Sequence, residues 1–181
     1  MLRTLLCSLA LASILAFSAG AQAAESPPTV TPDGAAPVPR AGQATRAHLL
    51  GLVEMYTVAL YIDASMHELA GLASPDVAKA LRIEIKYKED LRRRVSIDWR
   101  RELIPALNPD ATAQLRSTYA PLRYGDVVLV EYVPAKGTTL RVNKAVAVSD
   151  ASHDLMVAFL DHWLGQRPVS DEIKQKLLGS S

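Results

Sequence analysis

One cysteine, Cys7, is the whole thiol inventory of this chain. No internal disulfide can form, and no cysteine-built zinc site is possible. Neither sign of charge is in excess: 20 Lys and Arg face 19 Asp and Glu, a formal net of +1 over 181 residues. A dedicated nucleic-acid binder would carry a basic stripe or a strongly basic domain, so that class is set aside. No Gly-x-Gly-x-x-Gly, Walker loop or Gly-x-Ser-x-Gly occurs, which removes the common nucleotide and serine-hydrolase signatures. The histidines are His48, His67, His153 and His162. No pair has the i, i+4 spacing of a helical metal site. His153 and His162, flanked by Asp154 and Asp161, fall on one expected helix and read as solvated polar positions, not ligands. No metal and no cofactor is expected.

The first residues carry a recognisable pattern. Arg3 supplies a positive charge, Leu5 to Phe17 is apolar apart from Ser8 and Ser13, and Ala21-Gln22-Ala23 follows. The run is too short for the roughly 20 residues that span a bilayer. It has the layout of a secretory signal peptide over 1–23, with no transmembrane segment after cleavage and a periplasmic or secreted destination. Cleavage after Ala23 would remove Cys7 and Arg3. Residues 24–44 hold Pro27, Pro28, Pro32, Pro37 and Pro39, with Val30 and Val38 as the only aliphatic residues larger than alanine. So little apolar surface suggests a Pro-rich disordered linker. The domain is then expected over 45–181.

Apolar residues make up 49% of the chain, enough for one substantial core. Leu49 to Ile62 is a near-continuous apolar run, expected as strand covered on both faces, with Gly51 as a bend. Ser74-Pro75-Asp76 suggests a helix start. Leu81 to Tyr87 alternates like a half-buried strand. Leu91, Val95, Trp99, Leu103 and Leu107 recur every four residues, an amphipathic helix from Asp90. Its arginines, Arg92 to Arg94 with Arg100 and Arg101, are offset by nearby acids and read as a solvated face. Asn108-Pro109-Asp110 caps another helix. Val127 to Val133 is the clearest strand, and Asn143-Lys144 suits a two-residue hairpin turn between Thr138–Val142 and Ala145–Val148. A helix from Asp150 carries Leu155, Phe159, Leu160 and Trp163 and stops at Gly165. A last one follows Pro168-Val169-Ser170-Asp171. Strands, helices, strands, helices with hairpin connections describe an α+β domain, an antiparallel sheet with helices packed on it.

Tyr124-Gly125-Asp126-Val127-Val128-Leu129-Val130-Glu131-Tyr132-Val133-Pro134, then Gly137-Thr138-Thr139, Val142-Asn143-Lys144, Trp163-Leu164-Gly165, Pro168-Val169-Ser170-Asp171 and Leu177-Leu178-Gly179 resemble, in order and spacing, the bacterial chalcone isomerase-like family. Met55-Tyr56-Thr57-Val58-Ala59-Leu60-Tyr61 is similar to its N-terminal strand, and the resemblance runs from about Thr45 to Gly179. It implies an open-faced β-sandwich, an antiparallel sheet with a helical layer. In the plant enzyme of that fold an arginine positions an anionic nucleophile, a threonine and a tyrosine polarise a carbonyl, and a lysine and an asparagine stand nearby. Related plant proteins bind fatty acids, the arginine holding the carboxylate.

Carried over by ungapped counting, the arginine falls near His48, with Arg46 two residues away on the same strand face. The threonine matches Tyr56, the tyrosine Tyr87, the lysine Asp90 and the asparagine Arg94. Only Tyr87 keeps its type, and an acid at Asp90 would repel a phenolate. The expected ligand-binding residues are therefore Arg46, His48, Tyr56 and Tyr87, with no catalytic residue. Tyr56, Tyr61 and Tyr87 equally fit core positions with locally satisfied hydroxyls. The expected function is non-catalytic binding of a small amphipathic ligand such as a fatty acid or aromatic acid. The alternatives are an isomerase or lyase on an enone, and a structural or interaction protein of the cell envelope.

Overall fold

Successive side chains on a strand point to opposite faces, and that alternation sorts this sequence into two unlike surfaces. The computed structural model describes residues 25–48, 53–66, 69–87, 108–118 and 122–179. Within them seven antiparallel strands form one sheet in the order β1 to β7. The strands are β1 (Thr29–Val30), β2 (Val38–His48), β3 (Val53–Tyr61), β4 (Lys79–Ile85), β5 (Val127–Val133), β6 (Gly137–Val142) and β7 (Ala145–Asp150). Helix α1 (Leu69–Ala73) lies between β3 and β4, α2 (Pro109–Thr118) between β4 and β5, and α3 (Asp154–Leu164) and α4 (Asp171–Leu177) follow β7. This is the expected α+β architecture.

One face is apolar and carries the main core. Its rows across the sheet are set by the register: Ala44, Val58, Ile83, Val128 and Val142, then Leu60, Leu81, Val130, Leu140 and Val148. Leu155, Met156, Phe159, Leu160, Trp163 and Leu164 of α3 and Ile173 and Leu177 of α4 close over these rows. Burying each such side chain contributes about 1.5–3 kcal/mol against leaving it exposed. The other face carries Thr45, Thr57 and Glu84 in one row and Gln43, Arg82 and Arg141 in the next. It is not bare, because a small apolar patch of Val38, Ala59, Tyr61 and Ala80 lies in its middle.

The segment expected as a disordered linker covers that patch. Thr29 and Val30 pair with Pro39 and Val38, and β2 takes in all of residues 38–44. Tyr61 donates its hydroxyl to Pro27 O at 3.1 Å, and Arg82 Nη1 donates to Ser26 Oγ at 3.2 Å. Arg40 pairs with Glu25, and Arg141 with Asp33. Proline content misleads here because the prolines lie mostly in a strap crossing the sheet, where no ladder N–H is required of them. With the strap in place Val58, Ala59, Leu60 and Tyr61 are all fully buried, which explains the apolar run that ends β3.

Two further expectations shift. Ser74-Pro75-Asp76 does not open a helix: α1 ends at Ala73, and Ser74 Oγ accepts from Asp76 N at 3.2 Å in a local turn. Asp150 belongs to β7, paired with Thr138, so α3 starts four residues later. Asn143 and Lys144 make the hairpin turn, both at positive φ (49° and 75°). Asn108 Oδ1 accepts from Ala111 N at 2.8 Å and caps α2. The expected leader over 1–23, the expected bend at Gly51 and the expected helix from Asp90 onward lie outside the described residues.

Helix α4 rests directly on β2 at Gly42. A Cβ there would sit 2.2 Å from Lys176 O and 2.3 Å from Leu177 O, both backbone atoms that cannot swing away. Gly42→Ala should therefore lower stability by about 1–3 kcal/mol through overpacking. Urea denaturation of the two proteins checks this, and an unchanged midpoint would contradict the close approach.

Candidate functional site

The helix-covered face ends in two polar rows, one at each end. At the first end Arg46, Tyr56 and Ile85 are side by side on β2, β3 and β4. Cross-strand partners hold their Cβ atoms about 5 Å apart. Tyr87, two residues beyond Ile85, is half-buried and packs against the main core. The loop preceding β5 closes this end: Gly125 N donates to Ile85 O at 2.9 Å and Ile85 N to Asp126 O at 3.0 Å. Leu122, at the start of that loop, also packs against the core.

Tyr56 is buried at 6% exposure, and its hydroxyl oxygen accepts from Trp163 Nε1 at 3.2 Å. The rings meet edge to face, centroids 6.2 Å apart at 80°. Trp163 is fully buried, so this hydrogen bond satisfies an indole N–H that has left water. His162 stands edge-on to the same indole, 4.6 Å between centroids. Arg46 reaches the loop between α3 and α4, where Nη1 donates to Val169 O over a long 3.4 Å. The loop is held in turn by Val169 N donating to His162 O at 3.0 Å.

The environment of Arg46 differs from that of the other half-buried arginines. Arg40 pairs with Glu25, Arg82 with Glu84, and Arg141 with Glu131 and Asp33. Among the described residues no carboxylate pairs with Arg46. A guanidinium carries five N–H donors in a fork suited to a carboxylate or phosphate.

The structure thus gathers Arg46, Tyr56 and Tyr87 at one end of one face. His48 pairs with Val53 at the end of β2. The register shift beside Arg46 puts one extra residue, Met55, into β3, while Arg46, Ala47 and His48 stay consecutively paired on β2. Asp90 and Arg94 lie outside the described residues. Trp163 and Val169 were missed as site residues. The helical stripe marks Trp163 as core, and nothing local signals that its N–H meets Tyr56.

The second polar row, at the far end, is Lys79, Tyr132, Thr138 and Asp150 on β4 to β7. Lys79 and Ile85 are six positions apart on β4, about 20 Å at strand rise. Lys79 is fully buried with no acidic partner among the described residues. Its ammonium donates to Leu72 O (2.8 Å) and Ser74 O (2.6 Å) and meets His153 Nε2 (3.1 Å), with Nζ 5.4 Å from the centre of the Tyr132 ring. Burial pushes its pKa down to about 8. His153 is expected to be solvated, yet its ring lies against Tyr132, centroids 4.3 Å apart and tilted by 52°. Among the described residues no group of three or more His, Cys, Asp or Glu could hold a metal ion. No helix among them is long and apolar enough to cross a membrane.

Among the curated proteins none matches this sequence. A fatty-acid-binding protein of Arabidopsis thaliana, known from its crystal structure, is similar in fold: TM-score 0.61 and 17% identity, covering 84% of this chain and 90% of that one. The model of the family described as chalcone isomerase-like matches residues 27–179, and the chain belongs to that family.

Proposed function

We propose that the chain is a non-catalytic binding protein for a small amphipathic carboxylic acid, such as a fatty acid or an aromatic acid. The observation that carries this is Arg46: a half-buried guanidinium, at the edge of an apolar layer, with no carboxylate partner among the described residues. Such a group favours an anionic head. The apolar part of the ligand runs along Met55, Ile85, Tyr87 and Leu122 at the same end of the sheet, all of them part of the core or packed on it. The Arabidopsis protein of the same fold is a fatty-acid-binding protein, which supports the reading.

We also propose that residues 1–23 direct export and are cleaved after Ala23, which leaves the strap from Glu25 onward intact. The mature chain recovered from outside the cytoplasm should have the intact mass of a protein beginning at Ala24. A mass that includes Met1 would overturn this.

Binding is tested by titrating the protein with a fatty acid and with the fatty alcohol of equal length. The acid should bind at least tenfold more tightly than the alcohol. Arg46→Gln should remove that preference while leaving the alcohol unaffected, since one charge-assisted contact is worth about 1.5–3 kcal/mol. Equal affinities in the unaltered protein, or no binding of either, would rule out the carboxylate reading. Tyr56→Phe leaves the Trp163 indole N–H without that acceptor. It should cost about 1–3 kcal/mol of stability, read from urea unfolding.

A further inference from the structure

We propose that His153 is an acid-sensitive latch: its neutral ring accepts a hydrogen bond from the buried Lys79 and holds the first turn of α3 on the sheet, and protonation of the ring releases that turn. The argument is one of counting hydrogens. An ammonium has three donors and no acceptor. Two point at Leu72 O and Ser74 O, and the third at His153 Nε2. Nε2 must then be the unprotonated nitrogen, and the ring proton sits on Nδ1. A second proton on the ring would set two donors and two positive charges against each other at 3.1 Å. No rotation within this cage restores an acceptor. The alkaline side is different: a neutral Lys79 amine keeps two donors for the carbonyls and gains a lone pair that can accept from an Nε2–H tautomer. The contact survives loss of a proton but not gain of one.

The groups around the ring support this. Lys79 faces it from β4 and Tyr132 from β5. Asp154, the next residue on α3, opposes the effect, while burial and the Lys79 charge hold the ring below its ordinary pKa. Asp150 at the end of β7 is occupied by Ser152 N (2.8 Å) and Asn108 Nδ2 (3.1 Å). Asp76, in the turn after α1, acts on Tyr132. His153 also ties directly into the helix, since its carbonyl accepts from Val157 N at 3.0 Å. The folded state therefore resists a proton that the unfolded chain takes up near pH 6.5. Stability from the latch is complete above that pH and is lost as pH falls through the folded value.

The test uses imidazole ¹⁵N NMR and amide exchange on the intact protein, compared with His153→Gln, whose side-chain oxygen accepts from Lys79 without titrating. In the unaltered protein His153 should be the Nδ1–H tautomer at pH 7 and titrate below 6.5. Exchange protection of the Val157 amide, corrected for intrinsic rate, should fall about tenfold for each pH unit below the unfolded value until the ring titrates. In His153→Gln that acid loss should vanish. An Nε2–H tautomer at pH 7, a midpoint at or above 6.5, or the same acid loss in His153→Gln would overturn the proposal. If His153→Gln fails to fold, the tautomer and midpoint of the unaltered protein decide alone.

Discussion

Helix α3 is fastened at both ends of the sheet face it covers, and the placement of everything else on that face depends on it. At its N-terminal side His153 meets the Lys79 ammonium; at its C-terminal side the Trp163 indole N–H meets the Tyr56 hydroxyl. Its 11 residues are about 16 Å long, close to the separation of the two polar rows. Between the fastenings Leu155, Met156, Phe159 and Leu160 supply undirected apolar burial. Burial alone would tolerate a helix sliding along the face, whereas two polar contacts at fixed strand positions do not. The loop after α3 then has one place to go, beside Arg46, and α4 lands on Gly42.

The opposite face follows another logic. A polar sheet surface could face water, but the centre of this one carries Tyr61, Ala59 and Ala80, which could not be left exposed at no cost. The strap of residues 25–39 covers them. Its ion pairs, Arg40 with Glu25 and Arg141 with Asp33, involve strap carboxylates that are largely exposed, and contribute little. What holds the strap is apolar coverage, the pairing of β1 with β2, and the hydrogen bonds from Tyr61 to Pro27 O and from Arg82 to Ser26 Oγ. One face is thus organised by helices and the other by a segment with almost no regular structure.

How much of this could be read from the sequence depended on how local the cause was. Strand β5 was legible because Gly125-Asp126 and Pro134 bracket an apolar run, and the Asn143-Lys144 turn because few residue pairs accept two positive φ values. The face of α3 was legible from its stripe. The strap was not: its prolines satisfy a disorder criterion, and the surface that orders it is built from β3 and β4, some 20 residues or more onward. Ser74 looked like a helix start because its hydroxyl does bond a backbone N–H two residues on, which is the signature of a turn as well as of a cap. For the site, Arg46, Tyr56 and Tyr87 were named from a resemblance, and the register that makes Arg46 and Tyr56 neighbours confirms only that they adjoin. The extra residue Met55 in β3 beside Arg46 has no sequence marker, so the pairing of His48 with Val53 was not legible.

Both polar rows carry a cation against the same apolar layer, and donor counting separates their roles. Lys79 is fully buried, and its three hydrogens already have three neutral acceptors from α1, the following turn and the start of α3. An anion brought there would have to displace structure that ties those segments together. Arg46 spends one of five N–H groups on a long contact to a loop carbonyl, Val169 O. An anion there would replace a weak bond with stronger charge-assisted ones and disturb only a loop. The buried lysine therefore belongs to the framework, and on the proposed reading the arginine is the cation open to a ligand, a distinction that residue type alone does not make and that follows from what each cation already holds.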